Sequence, residues 1–384
     1  MTPRSAQRSI LFGVTSDQTL LVLRARILAL RDAGFAVIVL SSPGPHLDRL
    51  ATERDVTIHP IAIRRGIAPL ADLVAFARIA RRLARLRPDI VDFSTPKAAL
   101  LGLVAACLLR IPVRVHTLRG LRLESARPAQ RLLLLAAERL TAACAHVVLC
   151  NSPSLLEAAS ALAIAPRCKL RLLAHGSSNG VDLDRFHPGA TDLRARFAIP
   201  ADALVLGFVG RLTRHKGIPE LLDAFDRIHS EAPNAWLLLV GWLDRSEDRL
   251  DAQLIARIHR HPQIVLTGFV QDVAACYRAM NLFIFPTHRE GFPNAALEAA
   301  ASALPVITTN ATGARDAVLP GVTGMLVPVE DSAALAAAAL QLLRSPLLCR
   351  QMGNAARDWA AQNFSQQQVL TATGQFFQEI SQQN

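Results

Sequence analysis

Short apolar, β-rich runs alternate with longer helical patterns along the whole chain, and this alternation restricts the fold more than any other feature. In the first half the runs are Ile10–Thr15, Val37–Leu40, Val56–Ile61, Ile90–Phe93, Val113–Leu118, His146–Cys150 and Leu170–Leu173. Between the first two, Thr19–Ala33 reads as a helix with Gly34 at the C′ position. The second half repeats the scheme with Leu204–Val209, Trp236–Val240, Ile264–Leu266, Leu282–Phe285, Pro305–Thr308 and Met325–Val327. Strands that are apolar throughout and separated by helices are buried on both faces, which means parallel sheets covered by helices. Pro188, Gly189 and Pro200 interrupt the pattern, so the chain is expected to divide near residues 185–200. Two doubly wound α/β domains, 1–190 and 191–364, followed by a helix over 365–384, fit a length of 384 residues. Such sheets bind ligands in the crevice at the carboxyl ends of their strands. The architecture does not choose a chemistry; the loops must.

Charge is unevenly distributed. Residues 1–190 hold 26 lysines and arginines against 13 acids, whereas residues 191–384 hold 16 against 18. An arginine-rich composition explains why only Lys97, Lys169 and Lys216 are lysines, but not why the halves differ. The asymmetry points to a polyanionic partner of the first half, a nucleic acid or an anionic membrane surface. Nucleic acid is disfavoured, because the basic region has almost no aromatics for stacking and carries no recognition module. Ala71 to Arg87, with Arg78, Arg81, Arg82, Arg85 and Arg87 around Leu73, Val74, Ile79 and Leu83, reads either as a basic amphipathic helix on anionic lipid or as an ordinary surface helix. The longest apolar stretch, Ala98 to Leu109, is shorter than the roughly 20 residues of a membrane span. No signal peptide is legible at Ile10, and the six scattered cysteines suit reduced thiols, so a cytoplasmic protein, peripheral at most on the inner face of the membrane, is expected.

Two loops carry the chemistry. Strand Leu204–Val209 runs into Gly210-Arg211-Leu212-Thr213-Arg214-His215-Lys216-Gly217 and then a helix. A glycine at the strand end lets backbone approach a ligand, the helix N-terminus favours an anion, and Arg211 and Lys216 supply a fork and a point charge for phosphate oxygens. Solvated surface charges on a turn would account for this loop equally well. After Leu282–Phe285 comes Pro286-Thr287-His288-Arg289-Glu290-Gly291-Phe292-Pro293-Asn294, with Glu298 four residues further on. Asn294 is placed to cap the next helix. Carboxylates at Glu290 and Glu298 suit the vicinal hydroxyls of a ribose or hexose, although one solvated glutamate and one helix charge explain the pair by itself.

Taken together, the residues resemble glycosyltransferase family 4, which has the GT-B fold. The resemblance rests on Gly210-Arg211-Leu212 with Lys216-Gly217, Gly268-Phe269-Val270, Glu290-Gly291-Phe292-Pro293 with Glu298, Ala303-Leu304-Pro305-Val306-Ile307, Gly313 and Gly324-Met325-Leu326-Val327-Pro328. Val115-His116-Thr117-Leu118-Arg119-Gly120-Leu121-Arg122 and His175-Gly176-Ser177-Ser178-Asn179-Gly180-Val181-Asp182 are similar to the branch that builds bacterial capsule, O-antigen or glycoprotein glycans on polyprenyl-diphosphate carriers. Many members carry a glycine-rich loop after the first strand; here it reads Thr15-Ser16-Asp17-Gln18-Thr19, with only Gly13 nearby.

The resemblance implies two Rossmann-like domains facing across a cleft, with the last helix crossing back to the first. It implies a retaining hexosyltransferase that moves a hexose or N-acetylhexosamine from a nucleotide-diphosphate sugar, UDP-linked by branch, to a lipid-linked saccharide. Arg211 and Lys216 would hold the diphosphate, Glu298 the ribose, and Glu290 with backbone amides of Gly291, Phe292, Pro293 and Asn294 the sugar; proline brings no amide hydrogen of its own. His116 would contact that sugar, and backbone near Phe269 and Val270 the base. Neither cofactor nor metal is expected. Asp182-Leu183-Asp184 spells a metal-binding pattern of another transferase class but lies within the Asn179-Gly180-Val181-Asp182 run. A GT-B nucleotide-sugar epimerase and a non-catalytic sugar-binding protein stay open as alternatives.

Overall fold

The computed structural model describes residues 7–64, 66, 68–244 and 248–382. Its chain divides into two compact units. One runs to Asn179 and takes up the chain again at Gln367; the other is Gly180–Gln366.

The first unit contains β1 (Ser9–Gly13), α1 (Thr19–Asp32), β2 (Ala36–Ser41), α2 (Pro45–Ala51), β3 (Val56–Pro60), α3 (Pro69–Leu86), β4 (Ile90–Ser94), α4 (Pro96–Leu108), β5 (Val113–Leu118), α5 (Pro128–Cys144), β6 (Val147–Cys150), α6 (Pro153–Ala161) and β7 (Leu170–Leu172). Helix α1 ends at Gly34 in a Schellman arrangement: Gly34 N–H donates to Arg31 O and Phe35 N–H to Leu30 O. Helices α2 to α6 each open on proline, whose fixed φ and missing N–H suit the first helical turn. The seven strands are parallel in the order β3-β2-β1-β4-β5-β6-β7. Alternate strand residues face opposite sides. Leu11, Val91, Phe93 and Leu118 pack with α3, α4 and α5, while Ile10, Phe12, Val39 and Val115 pack with α1.

The second unit contains α7 (Leu193–Arg196), β8 (Leu204–Val209), α8 (Ile218–Glu231), β9 (Ala235–Val240), α9 (Ala252–Arg260), β10 (Ile264–Gly268), α10 (Ala274–Arg278), β11 (Leu282–Phe285), α11 (Asn294–Ala301), β12 (Val306–Thr309), β13 (Gly324–Val327), α12 (Ser332–Leu343) and α13 (Pro346–Phe364). Its six parallel strands follow the order β10-β9-β8-β11-β12-β13. Helix α14 (Gln366–Gln382) then belongs to the first unit, where Phe377 is fully buried 6.2 Å from the ring of Phe12. Both units are therefore doubly wound, as expected.

In each sheet the strand order reverses once, between β1 and β4 and between β8 and β11. At such a switch point the two carboxyl-end loops diverge and leave a crevice. Among the described residues no single helix is long and apolar enough to cross a membrane. Helices α12 and α13 together have the length, but they bend by 102° and bury residues in the core of the second unit.

Candidate active site

The switch point of the second unit gathers the loops after β8, β11 and β12. The β8 loop passes through Gly210 and a 3-10 turn, Arg214–Lys216, to Gly217. Gly217 has φ +73°, and a Cβ there would overlap the carbonyl oxygen of Pro286, so the β8 loop lies directly on the β11 loop. Backbone bonds join them: His288 N–H donates to His215 O at 2.8 Å, and the Thr287 hydroxyl to the same oxygen at 3.2 Å. The β12 loop closes the third side. Glu290 N–H donates to Thr312 O at 2.9 Å, the Thr309 hydroxyl donates to Thr287 O, and Gly313, at φ +75°, leaves room for the carbonyl of Glu290.

These contacts bring together residues 74 apart in sequence. The ammonium of Lys216 forms an ion pair with Glu290, each side chain 15% exposed, and lies 5.0 Å from the centroid of the Phe285 ring. The Thr287 hydroxyl is 3.2 Å from the same Glu290 oxygen. Arg211 pairs with Asp244, and His288 Nε2 is 3.1 Å from Glu220. His215 contacts Asp248, yet its pKa is pushed down to about 2, first by burial and then by Lys216, Arg289, Arg211 and His288. We read the ring as a neutral donor to that carboxylate, because so many cations surround it.

Helix α11 starts at the end of the β11 loop. Pro293 keeps an extended backbone, so it takes the cap position and Asn294 becomes the first helical residue, without a capping side-chain bond. This corrects the cap expected at Asn294. Among the described residues, the amides of Gly291, Phe292 and Asn294 donate to no backbone or side-chain acceptor, although Gly291 and Phe292 are buried. The first amides of an α-helix have no partner within the helix, and there they suit an anion or a hydroxyl-rich ligand. One turn on, Glu298 accepts a 2.8 Å hydrogen bond from Tyr277. Burial raises the pKa of Glu298, and the Tyr277 hydroxyl partly offsets the rise. Beyond Gly210, at the end of β10, Phe269 is 63% exposed with its ring 5.7 Å from Trp242, and Val270 is half-buried beside it.

Gly210, Arg211, Lys216, Glu290, Gly291, Phe292, Pro293, Asn294, Glu298, Phe269 and Val270 thus all lie in the second unit, at the carboxyl ends of its sheet. His116 lies in the first unit, 2% exposed, with Nδ1 3.3 Å from Phe93 O and Nε2 3.5 Å from Glu138. Its strand position turns the ring toward α5. Asp182 accepts the amides of Asp184 and Arg185 at 3.1 Å, so one oxygen of that pattern closes a turn. Sequence reasoning did not find Tyr277, Thr287, Asp244 or the His215–Asp248 pair. Thr287 and His215 lie in the loops after β11 and β8, beside the charged residues that signal the site; Tyr277 and Asp244 come from other elements and leave no local signal.

Residues 203–345 match the family described as "Glycosyl transferases group 1", and residues 22–176 match "Glycosyl transferase 4-like domain". The capsular polysaccharide biosynthesis glycosyltransferase CapM of Staphylococcus aureus is 35% identical over 355 residues, 92% of each chain. The UDP-Gal:alpha-D-GlcNAc-diphosphoundecaprenol alpha-1,3-galactosyltransferase of Escherichia coli is 26% identical over 300 residues, 77% of this chain and 76% of that one. Among solved structures, Anabaena HepE in complex with UDP and glucose superposes with a TM-score of 0.80 at 21% identity, covering 98% of this chain and 100% of that chain. That likeness shows the GT-B fold.

Proposed function

Because the chain belongs to the group 1 glycosyl transferases, with a 4-like domain in its N-terminal half, we propose that it is a retaining, metal-independent hexosyltransferase of bacterial surface-polysaccharide synthesis. In this reading it moves a hexose or N-acetylhexosamine from a UDP-sugar to a polyprenyl-diphosphate-linked saccharide. The observation that carries the proposal is the cationic pocket at the β8/β11 switch point: Lys216 and Arg211 beside the unpartnered amides of Gly291, Phe292 and Asn294. A UDP donor is supported by the UDP bound to HepE and by the donor in the galactosyltransferase's name. A lipid-diphosphate acceptor and a role in capsule are supported by the names of the two relatives.

The chemistry follows from charge. As the bond from the sugar's anomeric carbon to the diphosphate breaks, negative charge grows on the leaving phosphate. Lys216, Arg211 and the amides at the start of α11 stand ready to stabilise it without a metal. Lys216 exchanges its Glu290 contact for the phosphate, which frees Glu290 to accept from a sugar hydroxyl. Glu298 accepts from the ribose hydroxyls, and Phe269 and Val270 border the base. The acceptor hydroxyl attacks from the face the diphosphate leaves and gives its proton to the departing phosphate oxygen, so configuration is retained. His116 is proposed to contact the transferred sugar, which from its position against Glu138 requires the ring to turn outward.

The acceptor side is proposed to work at the inner face of the cytoplasmic membrane. Helices α3 and α5 follow strands of a parallel sheet, so both start at its carboxyl edge. There Leu70 is 83% exposed, and Leu73, Val74, Leu132 and Leu133 are exposed with it, amid exposed Arg64, Arg122, Arg127 and Arg131. Leucines rimmed by arginines complement an anionic lipid surface. The test is UDP release from UDP-sugars with and without an undecaprenyl-diphosphate-linked saccharide, in chelator. Acceptor-dependent release that chelator leaves undiminished is the expected result. Donor turnover that ignores the acceptor would replace transfer with the epimerase reading.

A further inference from the structure

Arg26, Asp92 and Arg119 form a charge cluster in the first unit that includes none of the groups of the candidate active site. Arg26 of α1 is 2% exposed and Asp92 of β4 is equally buried, with 3.7 Å between Nη1 and Oδ2. Thr117 of β5 donates to the other Asp92 oxygen at 2.7 Å. Arg119 stands two residues further on, in the connection after β5. Its Nε and Nη2 are inaccessible to solvent and have no hydrogen-bond partner among the described residues; the same holds for Arg26 Nε. Arg26 is otherwise stabilised by the Phe377 ring, 5.4 Å from its guanidinium carbon. Two guanidiniums thus share one carboxylate, and that carboxylate is already engaged by Thr117.

Buried cations are tolerated when paired, and one left without a partner is costly. The open positions are informative. Nε and Nη2 are the two parallel donors along one edge of a guanidinium, the edge that grips a carboxylate or phosphate bidentately. Burial and the neighbouring Arg26 hold Arg119 down, at about 10, with Asp92 opposing them, as expected of a cation short of counter-charge. The residue as a whole is only half-buried, and Gly120 beside it likewise, so the loop is where the group meets solvent.

We infer that Arg119, backed by Arg26, is an oxyanion-binding residue of the first unit, taking a phosphate or carboxylate through its Nε–Nη2 edge. That this anion belongs to the acceptor rests on the transferase reading above; the site itself does not. His116 and Arg119 share one short motif, but His116 faces α5, whereas Arg119 has its donors unspent.

The test uses inorganic phosphate, titrated calorimetrically into the full-length chain, with Lys216→Ala, Arg119→Gln and the double variant alongside. Phosphate is expected to bind the Lys216→Ala chain and to bind the double variant at least tenfold more weakly. Arg119→Lys, which keeps charge without the fork, should fall between. Equal binding to Lys216→Ala and the double variant, or none to Lys216→Ala, overturns the inference. A separate loss of phosphate sites between wild type and Lys216→Ala reports on the donor pocket, so the two readings fail independently. The Arg119 side chain makes no hydrogen bond among the described residues, so Arg119→Gln should melt at or above the wild-type midpoint; a clear drop would mark Arg119 as structural and overturn the site. Glucuronate in place of phosphate separates the sources: tighter phosphate assigns the acceptor's phosphate, tighter glucuronate an acidic sugar.

Discussion

Lys216→Ala tests the donor pocket most directly, because the structure separates its catalytic cost from its folding cost. For folding, the variant removes the partner of Glu290 and leaves that carboxylate with the Thr287 hydroxyl at 3.2 Å. Two unit charges about 4 Å apart interact by about 4 kcal/mol at an effective dielectric of about 20. Both side chains keep some solvent contact, and desolvation offsets much of that attraction, so a net loss of about 1 kcal/mol is reasonable. In a unit of this size that lowers the melting midpoint by only about 2–4 °C. Catalysis should suffer far more. Removing one preorganised donor from a site of developing charge costs about 100- to 1000-fold in kcat, equivalent to about 3–4 kcal/mol of transition-state stabilisation.

The assay is UDP release in the presence of acceptor, beside a thermal melt of the same preparation. The expected result is a folded protein with kcat/KM lowered at least 100-fold. Glu290→Gln is the companion: it keeps the shape of the side chain, loses the charge that receives the sugar hydroxyl, and should also fall well below wild type while folded. A Lys216→Ala protein that folds and keeps kcat/KM within about threefold of wild type would refute the charge argument, since the magnitude above leaves no room for so small an effect.

Further outcomes follow from single contacts. Tyr277→Phe removes the hydroxyl that partly offsets the burial of Glu298, so that carboxyl should rise further. Because a raised carboxyl holds its proton in the folded state, stability falls as pH climbs from the unfolded value through the folded one. Ribose needs the ionised form, so the acid limb of UDP affinity should move to higher pH; an unmoved limb would contradict the assigned role. Gly217→Ala forces a side chain into φ +73° and against the Pro286 carbonyl, so it should cost at least about 2 kcal/mol in a denaturant melt and abolish transfer. Leu132 and Leu133 changed together to serine should reduce co-sedimentation with vesicles containing anionic phospholipid while leaving the fold intact; binding that ignores anionic content in the wild type would remove the membrane assignment.

The sheets were legible because their strands are apolar along their whole length and bounded by glycine, proline or asparagine, as at Val37–Leu40 and Leu282–Phe285. Six helices that open on proline offered a stronger boundary signal than any cap residue, including the supposed cap at Asn294. The loops proposed to hold the donor were legible as glycines and charges at strand ends. Their meeting was not: Lys216 and Glu290 become neighbours only because β8 and β11 are adjacent across a reversal of strand order, which no local pattern encodes. The Glu298 partner was hidden for the same reason, since Tyr277 reaches it from α10. The role of His116 came from the resemblance to glycosyltransferase family 4 and not from any pattern along the strand; alternation along β5 sends its ring toward Glu138 of α5, while Thr117 projects to the other side, onto Asp92.

The distribution of charge then takes on a physical meaning that net totals conceal. The second half of the chain carries slightly more acids than bases, yet its switch-point crevice concentrates Arg211, Lys216 and Arg289 around a neutral His215. A pocket for a diphosphate needs local cations aimed at it, and here Asp244 holds Arg211 and Glu290 holds Lys216, while Asp248 and Glu220 pair with the neighbouring His215 and His288. The surplus of the first half divides into two populations. Exposed arginines around α3 and α5 act over the range of a screened surface field and should weaken with salt. Arg26 is buried, and the Nε–Nη2 edge of half-buried Arg119 is closed to solvent, so that edge is screened far less than the surface arginines and is satisfied only by a group that touches it. Raising ionic strength should therefore release the protein from anionic vesicles well before it weakens phosphate binding at Arg119, and a parallel loss of both would place Arg119 among the surface charges after all.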